Sequence, residues 1–360
     1  MTRIGVITSR ATSLMNVARD IAFVIQNKGL IPMLFDYLLA SSSARMLFDK
    51  AIIVMTMNPL VSRSWFMLSR DLLKDGVPSL VYTTIEGSVP KRYVKDWMRN
   101  EVLFVANSNY TYSKLVEAGL RVIDIVYHGV NFNDINMAKQ YTNSFKNYLR
   151  DKLGDGIVFG TIASNHPRKG LEYYRSVVRN VCSKTDKAKF YILTTPGAIG
   201  HFTGINTDRK CVVVDTRFGQ LERNEVLGLL SAFDYYVQPT LAEGFGLPVL
   251  EAMALGVPCI HIDYPPLTEF SDKSFNIMVP FKQITYNSFG EGINYELHIY
   301  DPNDMTEAIL EAIDIYENNK SKYEDMKAKA IEKAKQYDIM KLYPRLLEIL
   351  DKTVDMVNFR

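Results

Sequence analysis

The stretch that most restricts what this chain can become runs from Phe233 to Pro258. Phe233–Val237 is an apolar run with the character of a buried parallel strand. The turn Gly244-Phe245-Gly246 follows, and then Leu247-Pro248, which suits a first helical turn because a proline there gives up no needed N–H. The helix continues through Leu250, Met253, Ala254 and Leu255; Gly256 stops it in the left-handed region and Pro258 blocks continuation. A strand, a glycine turn and a helix start in this order form an anion site. The first-turn amides and the helix dipole point at whatever lies over Gly244–Leu247, and the glycines allow close approach. Glu243 precedes the turn and Glu251 lies one turn into the helix, both at the strand's carboxyl end, where open α/β sheets bind ligands. A carboxylate beside a phosphate is electrostatically costly, so these two should accept from hydroxyls. Phosphate flanked by two hydroxyl-reading carboxylates describes a nucleotide-sugar; the bland alternative is a βα unit with one capping and one surface glutamate.

The order Glu-Gly-Phe-Gly-Leu-Pro-x-Leu-Glu-Ala-Met-Ala-x-Gly-x-Pro resembles the Glu-x7-Glu signature of retaining GT-B glycosyltransferases, glycosyltransferase family 4. The resemblance implies an α/β fold of two Rossmann-like, doubly wound parallel-sheet domains facing a cleft, with a C-terminal helix crossing back to the N-terminal domain. It implies transfer of a sugar, a hexose, from a nucleotide-sugar donor to an acceptor hydroxyl with retention of configuration. Glu243 would then sit at the transferred sugar, Glu251 at the ribose hydroxyls, and the backbone of Gly244, Phe245, Gly246 and Leu247 at the diphosphate.

A chain of 360 residues fits two ordinary domains. With 42 Lys+Arg against 40 Asp+Glu, composition gives no push towards nucleic acid. No apolar stretch is long enough to span a bilayer, and Met1-Thr2-Arg3-Ile4 leads into a strand, so a cytoplasmic enzyme is expected. Cys182, Cys211 and Cys259 have no metal or redox spacing and read as three separate small core residues. Abundant Tyr, Ile, Lys and Glu point to a thermophilic source.

Short apolar runs at 4–7, 31–35, 50–55, 79–83, 103–107 and 122–126 alternate with helical segments, as in a parallel doubly wound sheet. The loop after the first run, Thr8–Ser13, holds no glycine, which argues against a dinucleotide fingerprint. Where the family carries Gly-Gly this chain has Thr12-Ser13, which either donate hydroxyls to the donor phosphate or cap the helix. Glu86 stands where many relatives place a histidine; it either bonds acceptor or sugar, or caps a loop. His128-Gly129-Val130-Asn131 resembles the element closing the family's first domain, with His128 at phosphate or bracing its loop. Lys91, Arg92, Lys95 and Arg99, interleaved with Tyr93, Trp97 and Met98, read as an amphipathic segment, either a solvated helix face or a peripheral contact with an anionic membrane.

The expected boundaries are an acceptor-side domain at 1–140, a linker at 141–156, a nucleotide-sugar domain at 157–335 and a returning helix at 336–360. Relatives carry Arg-x4-Lys-Gly after the second domain's first strand. Lys169-Gly170 matches, Ser164 stands at the arginine position, and neighbouring Arg168 can supply the charge a leaving diphosphate needs. Arg217 and Phe218 fall where the base pocket forms. His261-x-Asp263 offers two ligands, too few for a metal, and GT-B enzymes need none; no cofactor is expected. Residues 281–300 exceed the family's usual length and read as a protruding hairpin or loop touching acceptor or another subunit. The partners implied are a nucleotide-sugar donor and a hydroxyl acceptor (glycan, lipid-linked or protein). The alternatives are a GT-B sugar-nucleotide epimerase and a non-catalytic sugar-nucleotide binder. Base, sugar, acceptor and oligomeric state are not written in the sequence.

Overall fold

The computed structural model describes residues 1–36, 47–205 and 210–356. The chain forms two compact units: one comprises Met1–Asn131, Tyr286–Glu296 and Tyr337–Arg360, the other Phe132–Thr285 and Leu297–Gln336. The last four residues lie outside the described part.

The first unit is built on strands β1 (Arg3–Thr8), β2 (Ile31–Phe35), β3 (Lys50–Thr56), β4 (Ser79–Thr84), β5 (Gly87–Ser88), β6 (Phe104–Ala106) and β7 (Val122–Ile125). Six of them form a parallel sheet in the order β2-β1-β3-β4-β6-β7. β3 reads Lys-Ala-Ile-Ile-Val-Met-Thr, and its five central residues are all buried, as a strand covered by helices on both faces requires. The order reverses between β1 and β3, the place where such sheets open a crevice at their carboxyl ends.

Strands β8 (Ile157–Ile162), β9 (Ala188–Leu193), β10 (Val212–Asp215), β11 (Tyr235–Gln238), β12 (Cys259–Ile262) and β13 (Ile277–Val279) make the second unit's parallel sheet, ordered β10-β9-β8-β11-β12-β13. Aromatic rings dominate its core. Phe159 stacks between Phe190 and Tyr235 at centroid distances of 5.6 and 5.5 Å, in the range where offset rings gain about 0.5–1.5 kcal/mol beyond area burial. Both sheets, with the helices on them, give the α/β architecture expected from the alternating pattern.

Several local expectations change. The segment read as a linker at 141–156 is mostly the helix Thr142–Leu153 and belongs to the second unit, which starts at Phe132. Cys182 and Cys211 are not separate core thiols: they form a disulfide between the helix Leu171–Lys184 and the start of β10. Spacing hid the pair because a helix and a strand separate the two residues; Cys259 is the free, buried cysteine. The basic amphipathic segment is not one helix. It breaks into a 3-10 turn, Lys91–Tyr93, and a short helix, Asp96–Asn100, with Val94 extended between them and Met98 turned into the core.

Residues 281–300 form β14 (Phe281–Asn287) and β15 (Asn294–Tyr300), but their Tyr286–Glu296 portion is docked rather than protruding. β15 pairs antiparallel with β5, Tyr295 opposite Gly87. A Cβ on Gly87 would lie 2.0 Å from the Asn294 carbonyl oxygen, so only glycine admits this approach. Asn58 donates to the Glu291 carbonyl, and buried Glu296 accepts from Lys114 Nζ at 2.7 Å.

The returning C-terminal segment divides into helices Ile339–Leu342 and Pro344–Leu350, because Pro344 cannot continue a ladder. Within the first unit Arg345 pairs with Asp124 at 2.7 Å, and Thr353 Oγ1 accepts from the Ser79 amide at 3.1 Å.

Candidate active site

In the second unit the loop after β11 is held by glycines at two close approaches. Gly246 is the N-cap of the helix Leu247–Leu255 at φ 99°, and a Cβ there would meet Leu267 Cδ2 at 2.3 Å. Gly170, at φ 67°, ends the turn Pro167–Lys169; a Cβ would lie 2.2 Å from the Pro239 carbonyl. That contact, with the Leu241 amide donating to the Arg168 carbonyl at 2.8 Å, ties the two loops together. Lys169 thereby reaches Glu243: its Nζ donates to Oε1 at 2.5 Å.

Glu243 is 7% exposed. Gln238 Nε2 donates to the same Oε1 at 2.7 Å, and Tyr236 donates its phenolic O–H to Gln238 Oε1 at 2.5 Å. Burial pushes the Glu243 carboxyl up, but Lys169 and then Arg168 outweigh it and hold the carboxyl below its ordinary value. The group is a buried, oriented anion at neutral pH. Arg168 Nη1 donates to the Ala242 carbonyl at 3.3 Å, which keeps the guanidinium beside the same loop.

Helix Leu247–Leu255 has no acidic residue in its first turn and no side-chain cap, so its positive end is not neutralised by its own sequence. Phe245 is buried and stacks on Phe270 at 5.0 Å, so only its backbone is available to a ligand. Glu251, 6% exposed, pairs with Arg223 at 2.7 Å; Arg223 also lies 3.9 Å from Asp134. Glu243 and Glu251 are thus both buried, each with its own cation.

At the ends of β9 and β10, Asp215 accepts from Arg217 at 2.7 Å and from Tyr191. The Phe218 amide donates to the Thr194 carbonyl at 3.3 Å, joining the loops after these strands. Arg217 is therefore anchored, with Phe218 half-buried beside it. Ser164 lies in the loop after β8, its carbonyl accepting from the His166 amide at 2.9 Å. His166 Nδ1 in turn accepts from the Arg168 amide at 3.2 Å.

The remaining sequence-derived residues belong to the first unit. Thr12 and Ser13 do not cap the helix Thr12–Asn27: Ala11 is its N-cap, and both hydroxyl residues are exposed in the first turn. His128 is 5% exposed and shares a 2.8 Å hydrogen bond with the Tyr82 hydroxyl, and burial lowers its pKa to about 3, which favours the neutral ring. The Glu86 carbonyl accepts from the Glu296 amide at 3.1 Å, which places Glu86 beside the docked 286–296 segment.

Sequence reasoning missed Arg223, Gln238 and Tyr236. Gln238 lay inside the diagnostic stretch, and a polar residue closing an apolar strand two positions after a tyrosine was its signal. Nothing in spacing pointed to Arg223. His261 is structural: Nε2 and Nδ1 share hydrogen bonds with Ser271 Oγ and the Ile262 carbonyl at 2.6 and 2.9 Å, and burial lowers its pKa to about 4. Among the described residues no cluster of three or more His, Cys, Asp or Glu side chains is arranged to hold a metal ion. No helix among them is long and apolar enough to cross a membrane.

Residues 156–314 match the family described as glycosyl transferases group 1. The chain is 28% identical over 349 residues to the uncharacterized glycosyltransferase 335 of Sulfolobus islandicus rod-shaped virus 1, covering 96% of this chain and 99% of the viral one. These matches support a glycosyltransferase of group 1. The fold, GT-B, is shared with Anabaena HepE solved with UDP and glucose, at TM-score 0.67 and 13% identity over 98% of this chain and 100% of that one. It is also shared with a UDP-forming trehalose-phosphate synthase of Burkholderia xenovorans, at TM-score 0.71 and 12% identity over 98% and 99% of the two chains. The alternative readings as an epimerase or a silent binder are not favoured by these relatives.

Proposed function

We propose that this glycosyltransferase moves a hexose from a nucleotide-sugar to an acceptor hydroxyl with retention of anomeric configuration, as the Glu-x7-Glu type does. The observation that carries the reading is the buried, ionised Glu243 fixed by Lys169 and Gln238 at the mouth of the glycine turn. An anion so placed accepts hydrogen bonds from sugar hydroxyls, while Lys169, Arg168 and the helix start meet the charge on a departing diphosphate. Glu251 lies one helical turn further on, paired with Arg223 from another helix, and suits the ribose. The anchored Arg217 and Phe218 suit the base, for which uracil is the first choice because HepE was solved with UDP. Thr12 and Ser13, exposed in the first turn of their helix, are assigned to the donor phosphate, and Glu86 to the acceptor or the sugar. Charge neutralisation by Lys169 and Arg168 makes a metal-independent reaction the consistent choice. The disulfide and the Sulfolobus viral relative both fit a thermophilic setting, since intracellular disulfides persist in hyperthermophiles.

The test is turnover. UDP-hexoses are incubated with candidate acceptors, released UDP is assayed, and the product's anomeric configuration is read by NMR. Glu243→Gln should lower turnover roughly 10²–10³-fold while UDP still raises the melting temperature. Unchanged turnover in that variant removes Glu243 from the mechanism, and an inverted product removes the retaining assignment.

A further inference from the structure

The first unit holds a second, unassigned cavity, of about 150 Å³, lined by Pro59, Leu60, Arg63, Tyr93, Lys95 and Met98. It lies among the segments that follow β3 and β4, on the carboxyl-end side of the sheet, where doubly wound folds bind ligands. From its volume it accommodates several waters, and hence a phosphate-sized group.

Its charge is the informative feature. Arg63 and Lys95 both line the cavity, and among the described residues neither has a carboxylate within ion-pairing distance. Asp96, next to Lys95 in sequence, pairs instead with Arg99 at 3.2 Å. Lys95 Nζ makes only a long contact, 3.4 Å, to the Arg92 carbonyl. Arg63 opens the helix Arg63–Lys74, a turn with no acidic residue, where a cation opposes the helix dipole. Two like charges thus line one small space, with no counter-ion from the described residues.

The cavity's rim is apolar and built to stay in place. Leu60 and Val61 are 54% and 59% exposed. The Arg92 guanidinium lies 4.8 Å from the Tyr93 ring centroid and fixes that ring. The docked 286–296 segment backs the rim, since Gly292 approaches so closely that a Cβ would lie 2.7 Å from Leu60 Cγ.

We propose that this cavity binds the phosphate of a phosphate-bearing acceptor, with Arg63 and Lys95 as its ligands and Leu60 and Tyr93 against the acceptor's apolar portion. This rests on the glycosyl-transfer reading and names the class of acceptor. The guanidinium supplies a planar fork for two phosphate oxygens and the ammonium a point charge for the third. The phosphate comes from a sugar phosphate or from a lipid phosphate, and the two sources differ in how much they use the apolar rim.

The test titrates the full chain calorimetrically with inorganic phosphate, glucose 6-phosphate and dihexanoyl phosphatidic acid below its micelle concentration. The expected result is one site for at least one organic phosphate, weakened tenfold or more in Arg63→Gln/Lys95→Gln. In the same variant the melting-temperature rise given by UDP stays at the wild-type value, which also reports an intact fold. Tighter binding of glucose 6-phosphate identifies the sugar source; tighter binding of the lipid phosphate, weakened again by Leu60→Ser, identifies the lipid source. Equal affinity in wild type and variant, or no binding of any phosphate probe to wild type, overturns the proposal. Absence of a UDP response in the wild type sinks the donor reading instead, so the two failures are distinguishable.

Discussion

The candidate site of the second unit and the cavity of the first treat their cations in opposite ways. In the second, three cations near the candidate site are matched: Lys169 with Glu243, Arg223 with Glu251, Arg217 with Asp215. In the first, Arg63 and Lys95 line their cavity with no acid paired to them among the described residues. A matched pair fixes geometry before a ligand arrives, which the proposed role at the transferred sugar requires. An unmatched pair gains its counter-charge only when the ligand brings it, which suits recognition.

The contrast can be broken most directly at Lys169. Lys169→Met strands a buried carboxylate and should cost about 3–5 kcal/mol, read by urea unfolding. Arg63→Gln, at an exposed cation without a partner, should stay within about 0.5 kcal/mol of wild type. Similar losses from both would erase the distinction. The sign with pH follows from the depressed Glu243 value. Its contribution is present above the unfolded carboxyl value of about 4.3 and disappears as pH falls through the lower folded value. Lys169→Met should flatten that acid limb.

Reducing Cys182–Cys211 should follow in size. The bridge closes a span of 29 residues, for which loop entropy gives about 3–4 kcal/mol. It lies wholly in the second unit, so melting with and without reductant should move that unit's transition and leave the first unit's amide exchange unchanged.

Smallest is the effect of the two buried histidines, one in each unit. Both His128 and His261 have folded values below the unfolded value of about 6.5, so the unfolded chain binds more protons as pH drops below it. Stability should therefore fall from pH 7 towards pH 5. His128→Phe should reduce that slope for the first unit alone; an undiminished slope would mean that His128 is not the neutral brace of its loop.

Legibility differed between the units for physical reasons. The Phe233–Pro258 stretch could be read because a strand, a glycine turn and a helix start are set by neighbouring residues, and the structure gives Gly246 and Gly256 the left-handed φ that the reading assigned to Gly256. The sheets were legible from apolar runs, as in β3. What escaped depends on contacts far apart in sequence. Arg223 meets Glu251 across 28 positions, and Cys182 meets Cys211 only after an intervening strand. Gly87 carries no local signal of its role: it is demanded by the Asn294 carbonyl, more than 200 residues away. The basic segment misled because its periodicity ignored Val94, whose extended backbone turns Met98 into the core.

Gly87 and the strand it admits also decide the order in which the protein is completed. The first unit needs Tyr286–Glu296 to finish its small sheet and the segment from Tyr337 onward to cover β3 and β4. On the ribosome residues 1–131 wait, with part of their surface bare, until Tyr286–Glu296 and the segment from Tyr337 have emerged. The second unit's central sheet, spanning 157–279, is available earlier. Maturation should thus run against the direction of synthesis, with the half translated first being the last to close.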